Sequence, residues 1–281
     1  MLGAVLLHPD KRAVIPLMPE PIVHQDGTNK NDCERTAAKR LIAKLRQDHP
    51  HLTLIVTEDS LSSNGPHIEM LQDHDLHSIV GVKEGDHAFL FQQVAAAEQA
   101  GHVTYYDRDD QATGLHHRFR FVSDVPLNAS NVEWRVNFIE CWERDQDQVQ
   151  HFSWVTDLRV NKGTVYQLMR GGRARWKIEN ETFNTLKNQG YHFEHNFGHG
   201  SQHLSVVFAL VMMLAFLVDQ VQQMCCPLFQ AVWAKLGSKR RLWEKMSALF
   251  YAYALESMRH LFEALFYGLK KSAPIFASNS S

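Results

Sequence analysis

Apolar and polar positions follow two rhythms along this chain, and the change of rhythm divides it. Two short apolar runs, Leu2 to Leu7 and Ala13 to Met18, flank His8-Pro9-Asp10-Lys11, a Pro- and Asp-bearing stretch that suits a hairpin turn. They predict two strands. Beyond the break PLMPEP, Asn31 or Asp32 offers an N-cap, and Ala37, Leu41 and Leu45 recur at fourfold spacing, which predicts an amphipathic helix. The continuous apolar run Leu52 to Val56 predicts a buried central strand that leaves Asp59 at its exit. A helix start at Ser63 to Pro66, a short helix to Asp73 and a strand over Ser78 to Val82 complete an alternation of strand and helix, the wiring of an α/β domain.

From about residue 102 the period drops to two: HVTYYDR, HHRFRFV, NVEWRVNFIECWE and VQHFSWVTDL are separated by short polar turns, which predicts an inserted antiparallel β-region. After Asp157 the chain turns helical. The pair Gly171-Gly172 reads as a bend, and RARWKIENETFNTLKNQG reads as the strongest helix, closed by Gly190. Residues 201–269 are helix-rich, with breaks expected at Cys226-Pro227 and Gly237-Ser238 and a frayed tail behind them. The longest apolar run, Leu204 to Val218, is shorter than the roughly 18 to 20 residues of a membrane span. It predicts a buried helix and no membrane partner.

The 281 residues carry 29 Lys and Arg against 31 Asp and Glu, so any nucleic-acid contact must come from local basic patches rather than bulk charge. Four cysteines without a paired motif suit a reducing cytoplasm. From Lys162 to Lys187 six basic residues face two acids, a patch able to neutralise phosphates. A second cluster, Lys235, Lys239, Arg240, Arg241 and Lys245 with Trp233 and Trp243 between them, could grip a backbone and stack on bases, or be a solvated helix face. His192, His195, His199 and His203 recur every three or four residues, but no cysteine or paired carboxylate completes a zinc-like set. Arg175 and Glu179, four apart, fall on one helical face, either as one site's basic and acidic heads or as an ordinary surface pair.

TEDSLSSNGPHI after an apolar strand, the β-insertion, and GGRARWKIENETFNTLKNQGYHFEHNFGHG together resemble insertion-sequence transposases of the DDE superfamily. The likeness is to the branch with a Tyr, Arg, Glu, Lys signature around the third acid, and it covers most of residues 1–205. It implies an RNase H-like fold in which three carboxylates hold two divalent ions, Mg²⁺ or Mn²⁺, for hydrolysis and strand transfer on double-stranded DNA at transposon ends and target. Hard oxygen ligands suit such ions. On this likeness Asp59 is the second acid and Glu179 the third, both metal ligands, with Glu58 competing for the place of Asp59 and a turn cap as its bland alternative. Arg175 matches the signature arginine, and Arg173, Lys177 and Lys187 join it as DNA-binding residues. The signature lysine falls seven residues after the glutamate, at Leu186, one short of Lys187, and the signature tyrosine falls at Gly172. No residue matches the first acid, since Asp10 sits in the hairpin turn and Asp26 and Asp32 in the loop and cap beyond it.

The expected organisation is therefore an α/β, RNase H-like mixed sheet without its first strand over residues 1–101, a β-rich insertion over 102–158, a helix completing the catalytic domain over 159–200 and a helical region over 201–281. The expected function is a transposase of the cytoplasm and nucleoid, able to form a homodimer that holds two element ends, in a copy short of one catalytic Asp. An inactive remnant that only binds DNA or a related transposase is the rival. A metal hydrolase built on the histidine cluster is a third reading.

Overall fold

The computed structural model describes residues 1–22, 33–198, 200 and 203–268. It comprises two compact units, one formed by residues 1–12 with 19–179, the other by residues 13–18 with those from 180 on. Asp26, the predicted caps Asn31 and Asp32, His199 and the tail after Gly268 lie outside the described residues.

In the first unit the opening run contracts to β1 (Val5–Leu6). Helix α1 (Glu34–Asp48) follows β2 (Ile15–Pro16), which belongs to the second unit, and buries Ala37 and Leu41 of the predicted face together with Ala38 and Ile42, while the predicted Leu45 is half-buried. Then come β3 (Ile55–Glu58), α2 (Gly65–Asp73), β4 (His77–Gly81), α3 (Ala88–Gln99), β5 (Thr104–Asp109), β6 (His116–Asn128), β7 (Asn131–Asp145), β8 (Gln148–Thr156) and α4 (Val165–Ala174). One six-stranded mixed sheet runs in the order β3-β4-β8-β7-β6-β5. β3 and β4 are parallel with Glu58 beside Val80, and the other pairs are antiparallel. The predicted β-insertion is thus the meander β5 to β8, and β8 returns it onto β4.

Period-two alternation gives each face of this sheet its own core. Val80, Val122, Phe138 and Val155 pack with Leu90 and Val94 of α3 on one side. Ile79, Phe119, Ile139, Cys141 and Trp154 pack with Val165, Leu168 and Met169 of α4 on the other. At roughly 25 cal/mol per Å² of apolar surface removed from water, these two layers dominate the unit's stability. The α/β sheet between helices is as expected; the place of β3 is not. It forms the sheet's edge rather than its centre, paired on one side with β4 alone among the described residues, and Leu52 and Ile55 are accordingly exposed.

The Gly171-Gly172 pair does not bend the chain. Both glycines lie inside α4, where a Cβ on Gly171 would stand 3.0 Å from Ile79 and one on Gly172 2.5 Å from the Trp154 indole. Close approach of helix to sheet, not a turn, requires them. Nor is the helix predicted over RARWKIENETFNTLKNQG regular. After α4 the chain turns at Arg175, passes through a π-helix at Ile178–Phe183 and ends in α5 (Asn184–Asn188). A π turn bonds i to i+5 and so takes up an additional residue, a local feature common at functional sites.

The second unit contains α6 (Leu204–Cys225), α7 (Pro227–Leu236), α8 (Lys239–Ala252) and α9 (Met258–Tyr267). Its breaks fall where expected. Pro227 opens α7 behind the Cys226 cap, Gly237 takes a left-handed φ of 76°, and Ser238 Oγ accepts from Arg241 N at the start of α8. Phe229, Val232, Leu242, Met246, Leu261 and Phe262 form the core. The expectation of a buried α6 is corrected. The helix has 22 residues, long and apolar enough to cross a membrane by length and composition alone, and only Met213, Phe216 and Gln220 are buried. It outruns the apolar stretch because Gln220, Gln222 and Gln223 continue the helix without being apolar.

Candidate functional site

Strand β3 delivers two adjacent acids. Glu58, its last residue, accepts a 2.5 Å hydrogen bond from His67 Nε2 of α2. Asp59 caps the 3-10 turn Ser60–Ser62, its Oδ1 accepting from Leu61 N at 3.1 Å. The capping role foreseen as the bland alternative is therefore present at Asp59, and Glu58 is held by a histidine. Gly81 lies beside Asp59, where an added Cβ would stand 3.7 Å from the Asp59 Cα. Next along the sheet, Asp157 accepts from Ser78 N at 2.7 Å and pairs with His77 Nδ1 at 2.6 Å, tying the exit of β8 to the start of β4.

Helix α4 packs on β3, β4 and β7. Just beyond its end Glu179 sits within the π-helix and accepts from Arg175 Nη1 at 2.8 Å, the i to i+4 pair that the sequence spacing indicated. Trp176 beside them is half exposed.

The remaining cations of this stretch hold protein atoms. Lys177 Nζ donates to the carbonyls of His8, Pro9 and Lys11 at 2.6, 2.9 and 2.5 Å, and an ammonium has three protons to give. Arg170 reaches Asp10 in the same turn, and this guanidinium holds the Asp10 carboxyl below the usual carboxylate range. The hairpin turn at 8–11 is thereby fastened to the end of α4. Arg173 lies 3.9 Å over the Phe152 ring and 3.4 Å from Glu143. Lys187, in α5, pairs with Glu194 at 2.8 Å. Sequence reasoning missed the Lys177 clamp, the Arg170–Asp10 bond and the Glu58–His67 contact, since each joins positions that no local pattern relates.

Among the described residues no three His, Cys, Asp or Glu side chains form a group that could hold a metal ion. The described members of the histidine series supply none either: His195 packs on Phe197, and His192 and His203 take left-handed backbone conformations. In the second basic cluster Trp243 packs against Tyr191 and Phe229 in the helical core, so it is not an open stacking platform. Lys239 stands 5.2 Å from the Trp233 ring, and Arg240 pairs with Glu244.

A mixed sheet between helices, acids at a strand end and on a following helix, and a β-meander inserted between them define an RNase H-like α/β protein. The particular family is shown by comparison: the profile of the transposase DDE domain matches residues 13–217, and the chain belongs to that family. It is an insertion-sequence transposase of the DDE type, a family of DNA-acting enzymes that typically use divalent metal ions. No curated protein matches the chain.

Proposed function

We propose that this chain serves DNA transposition by binding the double-stranded DNA of its element's ends, with Asp59 and Glu179 in the places of the second and third acids. What supports the reading is the family match, which spans both positions. Arg175, paired with Glu179, fits a role beside the DNA, and the π turn takes up the one residue by which Lys187 departs from the family's spacing. Arg173 belongs to the same basic stretch. Lys177, with its three protons on carbonyls, fits a positioning role better than a phosphate contact. The division into 1–101, 102–158, 159–200 and 201–281 belongs to the same proposal, as do a homodimer joining two ends and a place in the cytoplasm and nucleoid.

The donor set decides how far the chemistry goes. Two Mg²⁺ or Mn²⁺ ions require more carboxylates than Asp59 and Glu179, and the described residues offer no three-donor group, so they do not fit the metal pair. No cleavage or strand-transfer step is assigned to this chain. The reading that it binds DNA without turnover is the one this observation favours. Incubating the purified chain with duplex DNA from the flanks of its own gene, with Mg²⁺ or Mn²⁺, tests both parts. Binding without nicks or joined products is expected. Nicking overturns the assignment of an incomplete site, and failure to bind any duplex overturns the DNA-binding reading.

A further inference from the structure

Helix α6 turns its apolar side chains in two directions. Met213, Phe216 and Gln220 are buried in the helical unit, where the helix packs on β2 and α7 and Phe216 meets the Tyr191 ring edge-on at 5.7 Å. At about 100° per residue, the opposite side carries Leu204, Val207, Val211, Leu214, Val218 and Val221, with Cys225 at its end, and each of them is exposed. Their spacing alternates between three and four residues from one end of the helix to the other, which is that of the a and d positions of a coiled-coil seam. All the exposed residues of α6 are apolar.

The extent of this face sets it apart from scattered surface hydrophobics. Eight large apolar side chains of the helix, Phe208 and Met224 beside the seam included, are between 38 and 59% exposed, and Leu214 in the middle is the most open of them. Together they leave on the order of 700 Å² of apolar surface in water, above the roughly 300 to 600 Å² of a monomer's largest patch and close to the roughly 800 Å² that each partner gives to a standard interface. The face therefore has the area that a stable dimer needs.

Its chemistry selects the occupant. A bilayer would surround the whole helix, yet the packed side carries the buried Gln220, and Asp219 beside it bonds the Tyr191 hydroxyl. A helix lying on a membrane sets Lys or Arg beside its apolar stripe, and α6 contains neither. A seam of heptad spacing is filled by another helix of the same spacing, knob into hole. A second copy of the chain brings that helix, and since no charge lies on the seam, like faces meet about a twofold axis without repulsion.

We propose that the exposed seam of α6 pairs with the same seam of a second copy and makes the chain a homodimer. The inference deepens the homodimer reading above by naming its surface, and it requires no DNA. Sedimentation equilibrium of the full chain between about 1 and 100 µM measures it, and a dimer is expected. V211K/L214K places two charges in the middle of the seam at positions already open to water, so its circular dichroism should match that of the unmodified chain while the dimer weakens by at least about 100-fold. L214C supplies a readout that needs no disruption: mild oxidation should join two copies through position 214, identified by mass spectrometry of the linked peptide. A dimer that V211K/L214K leaves intact, or one that L214C does not join, overturns the seam as its surface. So does a monomer that floats with phosphatidylcholine vesicles through α6, which would make lipid the occupant. A chain that is monomeric alone and pairs only when duplex from its element ends is added also overturns this surface, but leaves the homodimer that joins two ends.

Discussion

Two acids, Glu140 buried in the sheet unit and Asp219 partly buried in the helical unit, are handled in opposite ways. In the sheet, Glu140 lies almost wholly inside, yet its register partner across the ladder is Arg120, and His151 of β8 meets its other carboxylate oxygen. Each carboxylate oxygen meets a cation or an N–H. In the helical unit, Asp219 of α6 hydrogen-bonds the Tyr191 hydroxyl, and the charge of Lys239 favours its ionised form. Burial there pushes the Asp219 carboxyl up to about 6, and it pushes the Tyr191 hydroxyl upward as well. A ladder places cross-strand partners opposite one another by construction, so a charge can be matched when the strand forms. A helix offers no such opposite position, and compensation depends on what the tertiary packing brings.

Removing the cation in the sheet gives the largest expected effect. Arg120→Ala leaves Glu140 buried without its main partner, a change that costs about 3 to 5 kcal/mol. Urea unfolding at neutral pH measures it. A cost below about 1 kcal/mol would mean that His151 alone holds the carboxylate. Asp219→Asn goes the other way. Because the folded-state pKa lies above the ordinary 3.8, the folded protein holds more protons than the unfolded chain between about pH 4 and 6, so stability contributed by this group is full below pH 4 and falls as pH rises to 6. Asparagine keeps an acceptor for Tyr191 without the charge. It is expected to stabilise the protein at pH 7 by about 2 kcal/mol and to flatten the decline between pH 4 and 6. Unfolding midpoints across that range read both, and an unchanged pH slope would show that Asp219 is not the titrating group.

The same contrast explains what the sequence disclosed. Alternation in HHRFRFV and NVEWRVNFIECWE made the meander legible, because side-chain direction on a strand is fixed by position. Proline, glycine and serine made the breaks around α7 legible. The edge position of β3 was not, since an apolar run reports that a segment is strand-like but not which neighbours it has. The glycine pair in α4 misled for a related reason: a bend and a close helix approach both require a missing Cβ, and only the tertiary neighbours Ile79 and Trp154 separate them. At the candidate site the Arg175–Glu179 pair was readable from spacing. The π turn and the clamp of Lys177 on residues 8–11 depend on tertiary structure.

That clamp supplies the third test. Lys177 compensates three carbonyls of one turn, a partly buried counterpart of the cross-strand pairing at Glu140. Lys177→Met keeps most of the apolar stem and removes the charge-assisted bonds, at about 1.5 to 3 kcal/mol for hydrogen bonds to a charged group. Exchange protection of the turn amides, including Lys11 N on His8 O, should fall together with stability. Retained protection would show that Arg170 and Asp10 fasten the turn by themselves.

The smallest effect is expected at the pair with the greatest functional interest. Arg175 and Glu179 satisfy each other, but the Glu179 side chain is 50% exposed, so water screens their attraction. Exposed helical pairs of this spacing contribute about 0.3 to 0.5 kcal/mol, and the π-helical backbone around Glu179 does not improve the geometry on which that figure depends. Arg175→Ala should therefore shift the unfolding midpoint hardly at all. Duplex binding at low salt should nevertheless weaken on the proposed reading, because one cation has left the basic stretch beside Glu179. A loss of stability comparable with that of Arg120→Ala would instead make Arg175 a structural residue that holds the π turn, and would remove the ground for placing it at the DNA.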